Sequence, residues 1–126
     1  MTPNRFRDLY EAHCRIIDNL LINKGQEYAP DQDRLHNFKA AAAFLHTNER
    51  EVCLSFLTKH LVSIVDMVKS SKVYTKEQWN EKIGDSITYH HLLWAMVEEH
   101  RGQDDLLTRT SAGCSDLPSS QGLVKS

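Results

Sequence analysis

Cysteine is scarce in this chain: Cys14, Cys53 and Cys114 stand far apart and form no C-x-x-C pair. Three separated thiols exclude a disulfide framework that uses all of them, and such usage suits a reducing cytoplasm. No apolar run approaches the ~18 residues of a membrane span. The opening Met1-Thr2-Pro3-Asn4-Arg5 lacks a signal-peptide core, so export is not expected. Positive charge is not in excess either: 15 Lys and Arg against 17 Asp and Glu leave a net charge of -2. That balance argues against a general nucleic-acid binder, whose affinity comes from neutralising phosphates. The P-loop pattern G-x-x-x-x-G-K-[ST] is missing, as are internal repeats and any convincing strand. What remains is 126 residues, 40% apolar and 25% charged, the composition of one soluble globular domain.

Apolar residues recur at helical spacing. Thr2 and Pro3 form a helix start, and Phe6, Leu9, Tyr10, His13, Ile16, Ile17, Leu20 and Leu21 continue one stripe to about Asn23. The segment from Asn23 to Asp33 carries Gly25 and Pro30 and reads as a loop, longer than the ~2–8 residues usual between bundle helices. A second helix is predicted over Arg34 to Leu45, with Leu35, Phe38, Ala41, Ala42 and Leu45 inward. A third begins after Thr47, where Asn48 and Glu51 have capping-box-like spacing, and runs to about Lys69. Its expected inner face is Val52, Phe56, Leu57, Leu61, Ile64, Val65 and Val68. Thr75 and Gln78 form a cleaner capping box for a fourth helix ending near His100. Its expected inner face is Trp79, Ile83, Ile87, His90, Leu93, Trp94 and Val97. Residues 102–126 have no aromatic side chain and are rich in Ser, Thr and Gly, so a disordered tail is expected after a single helical domain over 1–101. The fold class is all-α, a four-helix bundle-like core.

Polar positions beside the stripes carry the functional reading. Glu77, Glu81 and Asp85 follow i, i+4 spacing on the fourth helix, where like charges repel unless solvent or a cation screens them. Glu81 and Asp85 are therefore candidates for Mg²⁺, which commonly uses one or two carboxylates plus waters. A solvated acidic face accounts for them equally simply. On the third helix Ser55, Lys59, Ser63, Asp66 and Ser70 form another strip. Lys59 is a candidate phosphate partner and Asp66 a candidate metal ligand; a solvent-facing stripe is the alternative. The loop adds Lys24, Glu27, Tyr28, Asp31 and Asp33, followed by Arg34, His36, Asn37 and Lys39, a set able to surround a nucleotide or simply to stay soluble. His90 and His91 point about 100° apart, poor geometry for joint chelation, and no H-E-x-x-H occurs. A nucleophilic cysteine has no visible acid–base partner.

Three segments, taken in order, resemble the all-α nucleotide pyrophosphohydrolase (MazG-like) superfamily, especially its small phage-type relatives. They are Lys24 to Lys39, similar to a K-x-x-D/E-Y … N-F signature; Thr58 to Ile64, a lysine-bearing helix; and Glu81 to Tyr89, similar to an E-x-x-x-D-x-x-x-Y stretch. The resemblance implies an Mg²⁺-dependent nucleoside triphosphate pyrophosphohydrolase of the (host) cytoplasm, with water attacking the α-phosphate, and a homo-oligomer. It assigns catalysis to Glu81, Asp85 and Lys59, substrate contacts to Lys24, Glu27, Tyr28 and Asn37, and metal ligation to Glu81, Asp85 and Asp66.

The chain departs from active members, which carry E-x-x-E on one helix and E-x-x-D on another. Lys82 stands where the second motif places its glutamate, and the third helix has Lys59, Ser63 and Asp66 in place of the first. A catalytically degenerate nucleotide-binding relative follows from those departures. The alternative is a non-enzymatic phage-type helical interaction protein that binds a host component or a nucleotide signal.

Overall fold

The computed structural model describes residues 1–23, 25–26 and 33–115; for Cys114 and Ser115 it gives the backbone alone. Among the described residues the fold is all-α, and four helices pack together. Helix α1 spans Pro3–Asp18 and continues as a π-helical turn over Asn19–Asn23. Helices α2, α3 and α4 span His36–Leu45, Glu49–Lys69 and Lys76–Ser115. No helix is long and apolar enough to cross a membrane among the described residues.

Capping chemistry sets the helix starts. The Thr2 hydroxyl accepts from the Arg5 N–H at 3.2 Å, with Pro3 in the first turn where its missing N–H costs nothing. Asn48 Oδ1 accepts from the Glu51 N–H at 3.0 Å and opens α3. Thr75 and Gln78 cap reciprocally, the Gln78 N–H donating to Thr75 Oγ1 at 3.2 Å and the Thr75 N–H to Gln78 Oε1 at 2.9 Å. Helix α2 ends differently. His46 adopts φ 55°, the left-handed region, so that the Thr47 N–H reaches the Ala42 carbonyl at 2.9 Å. A histidine in that conformation stores backbone strain that glycine would not.

The chain divides into two compact units, Met1–Met96 and Val97–Ser126. In the first, the core is built from Leu35, Cys53, Leu92 and Met96, with Leu21, Phe38, Tyr89 and Leu93 packed against it. Cys53 and Met96 are fully buried. Gly84 lets α1 approach α4: a Cβ there would lie 3.2 Å from Leu20 Cδ1 and 3.9 Å from Ile17 Cδ1. In the second unit the helix runs to Ser115, and Thr108 and Thr110 bond back to the carbonyls of Asp104 and Leu106. Gly102 does not end the helix near His100: its φ is not positive, so it does not form the left-handed cap by which glycine usually stops a helix. Residues 116–126 of the expected tail lie outside the described residues.

The inner faces differ from the periodicity reading. On α3, Val52, Cys53, Leu57 and Met67 are buried, whereas Leu61, Val65 and Val68 are exposed. On α4, Tyr89, Leu92 and Met96 face the core, and Ile83, His90, Trp94 and Val97 are exposed. Leu45 on α2 is exposed as well. Both long helices carry more than one apolar stripe, so hydropathy alone cannot say which stripe meets the core.

Two outcomes follow. Met96→Ala should lower the unfolding free energy by about 2–5 kcal/mol in urea denaturation, the usual cost of emptying a fully buried site. His46→Gly should raise it by about 1 kcal/mol, because glycine adopts the left-handed conformation without a Cβ penalty.

Candidate functional site

The site begins with an aromatic cluster that ties three helices together. Tyr89 of α4 stacks on His60 of α3 at 5.1 Å between ring centroids and on Phe56 at 5.9 Å. Phe38 of α2 meets Phe56 and Tyr89 edge-on at 6.3 and 6.4 Å. The Cys53 thiol donates to the Tyr89 carbonyl at 3.5 Å. Burial pushes the Cys53 thiol up, so it stays a packing group and a weak donor, not a thiolate. Burial also raises the Tyr89 phenol, and the Asp85 carboxylate and Cys53 add to the rise.

Beside this cluster opens a cleft of ≈ 280 Å³. Phe38, His60, Asp85 and Tyr89 line it together with Leu20 and Arg34. His60 Nδ1 lies 3.7 Å from Asp85 Oδ2, both groups partly shielded from solvent, so the imidazole and the carboxylate face each other at the cleft. Leu20 reaches the wall from the π-helical turn, a local rewinding often found beside functional sites. Arg34 is held where it is by the absence of a side chain at Gly25. A Cβ on Gly25 would sit 2.7 Å from Arg34 Nε, so the guanidinium lies directly over bare backbone.

Asp33 fixes the start of α2, and with it Arg34 and Phe38. Its Oδ1 accepts from the Leu35 N–H at 2.9 Å and its Oδ2 from Lys39 Nζ at 2.6 Å. The Lys39 hydrogen bond, followed by the Leu35 N–H, holds the Asp33 carboxyl below its ordinary value.

The sequence candidates separate in space. Asp85 lies in the aromatic cleft, half-buried. Glu81 and Asp66 line a different depression, of ≈ 390 Å³, with Ser63, Tyr74, Gln78 and Lys82. Glu81 Oε1 is occupied there by Lys82 Nζ at 3.0 Å. Lys59 and Asn37 are exposed and line neither cleft. Lys24, Glu27 and Tyr28 lie outside the described residues. No group of three or more His, Cys, Asp or Glu able to hold a metal forms among the described residues. The three carboxylates named for Mg²⁺ therefore do not make one cradle there, because Asp66 and Glu81 face one depression and Asp85 the other.

Phe38, His60 and Tyr89 are not among the residues the sequence offers as site candidates, whereas Arg34 is, in the charged set that follows the loop. One signal was available: His60 is a polar residue in register with Cys53, Leu57, Ile64 and Met67, at steps of four and three along the inner side of α3. Comparison with protein-family models, curated proteins and solved structures finds no match to this chain.

The depressed Asp33 carboxyl gives a pH signature. A group whose folded pKa lies below its unfolded one stabilises the fold above the unfolded value and loses that contribution as pH falls through the folded one. Thermal midpoints should therefore drop below the ordinary carboxylate range of about pH 4, and Asp33→Asn should flatten that part of the curve.

Proposed function

We propose that the cleft between α2, α3 and α4 binds a nucleotide, as in the catalytically degenerate reading of the sequence. The observation that carries it is the meeting of a guanidinium, Arg34, with an aromatic wall, Phe38 and Tyr89, in one open cleft. Arginine offers a fork of donors matched to phosphate oxygens. The aromatic wall offers an apolar surface to a base, the kind of contact that tolerates any base because each has a π-face. Asp85 and His60 supply an acceptor and a donor between those two ends. The likeness of the Lys24–Lys39 and Glu81–Tyr89 segments to MazG-like proteins supports the same ligand class.

Binding is proposed, not hydrolysis. The described carboxylates are divided between two depressions, and an Mg²⁺-supported attack of water on the α-phosphate needs them on one phosphate chain. Within this reading Gly25 is a positioning residue, since its missing Cβ leaves the place where the guanidinium rests.

Calorimetric titration with nucleoside triphosphates, nucleoside monophosphates and unphosphorylated nucleosides, with and without Mg²⁺, tests the proposal. Nucleoside phosphates should bind and bare nucleosides should bind more weakly. Arg34→Ala should weaken phosphate binding about tenfold or more, the loss of a charged hydrogen bond. Gly25→Ala should reproduce part of that loss with little change in thermal midpoint, because only a flexible side-chain end must move. Absence of binding by every nucleotide would reject the reading. Pyrophosphate release that Asp85→Asn suppresses would restore the hydrolase.

A further inference from the structure

Helix α3 carries two apolar seams, and the fold uses one. Cys53, Leu57, His60, Ile64 and Met67, at steps of four, three, four and three, lie buried or half-buried. Leu54, Thr58, Leu61, Val65 and Val68 repeat the same steps one residue on, and all five are exposed. That is the 3.5-residue period of a coiled-coil seam. It lies roughly 80–160° around the helix from His60, away from the residue that faces the nucleotide cleft. Leu54 is 50% exposed, Leu61 41%, Val65 47% and Val68 69%. Thr58 adds no unmet polar group, because its hydroxyl donates to the Leu54 carbonyl at 2.8 Å.

We propose that this seam pairs with the same seam of a second copy of the chain, antiparallel, about a two-fold axis at Leu61. Three features select a second copy and this direction. The ends of the seam are symmetric about Leu61, with Leu54 seven residues before it and Val68 seven residues after it, each about 10 Å away along the helix. A two-fold axis there sets Val68 of each chain against Leu54 of the other. Beside Leu54 lies a shallow, mainly apolar hollow of ≈ 250 Å³, lined also by Leu93, Asn48, Arg50 and Glu51. Val68, the most exposed residue of the seam, is the projection that fills it. Charge points the same way. Glu51 and Lys69 flank the two ends of the seam on one side, both exposed. Antiparallel pairing brings each Glu51 toward the other chain's Lys69, whereas in parallel pairing the two residues of each chain lie across the interface from their copies and meet no opposite charge there.

Area is adequate as well. With Val62 at 54% exposure beside the seam, the open apolar surface is on the order of 500 Å² per chain, high among the largest patches that monomers show. Covered in full on both chains, that surface amounts to on the order of 1,000 Å², the threshold for a specific interface.

Sedimentation velocity over a range of micromolar concentrations tests the pairing on the full chain. The wild type should be a dimer. Leu61→Glu places two carboxylates at the axis and should give a monomer with unchanged helical circular dichroism. Because the seam is separate from the cleft, Leu61→Glu should keep its nucleotide affinity if the cleft binds nucleotides, so the two proposals succeed or fail independently. Glu51→Lys and Lys69→Glu should each weaken the dimer roughly tenfold by facing like charges, and the double exchange should restore it. A wild type that stays monomeric throughout overturns the proposal and leaves the seam to a different occupant. Single exchanges without effect, or a double exchange that fails to restore the dimer, overturn the antiparallel register.

Discussion

The stacking of Tyr89 on Phe56 and His60 is the contact on which the first unit depends. It joins α3 to α4 through two stacked contacts to one ring, and Phe38 meets that ring at a near right angle from α2. Offset and edge-on aromatic pairs each add about 0.5–1.5 kcal/mol beyond the area they bury. The same ring lines the cleft, with Asp85 one turn before it on α4 and His60 stacked against it. Core and cleft are thus not separate constructions. A change that loosens Tyr89 reaches His60 and Phe38 together, and both are walls of the cleft.

The capped helix starts were legible because they rest on local chemistry, whereas the end expected near His100 was not, the helix running on to Ser115. Thr2, Asn48 and Thr75 each cap a helix within three residues of themselves, and those hydrogen bonds need nothing from the rest of the fold. Helix facing was not legible to the same degree. On α4 the stripe through Ile83, Trp94 and Val97 is as apolar as the one through Tyr89, Leu92 and Met96 that meets the core, and spacing does not rank them. The choice is made by partners distant in sequence: Cys53 for Tyr89, and Leu20 and Ile17 for Gly84.

The candidate site was legible in part for the same reason. Asp85 stood out by its i, i+4 spacing from Glu77 and Glu81, and it does line the cleft. Glu81 stood out on equal terms four residues earlier, yet it faces another depression and pairs with Lys82. Shared i, i+4 spacing places two side chains along one strip of a helix without deciding whether the neighbouring helices leave one hollow there or two. Arg34 and Gly25 belong together only in three dimensions. Nine residues separate them, and neither the guanidinium nor the bare backbone is unusual by itself.

The π-helical turn at Asn19–Asn23 carries a consequence for how this cleft can change over evolutionary time. In such a turn the amides reach one residue further back than in an ordinary α-turn, so the peptide accommodates a residue that the surrounding winding does not need. Loss of a single codon in that stretch would let the ladder rewind and rotate whatever follows, Leu20 or its successor included, while Ile16 and Ile17 upstream kept their places. The wall of the cleft at Leu20 is therefore open to reshaping by indels at one point in the gene, with the packed helices left as they are.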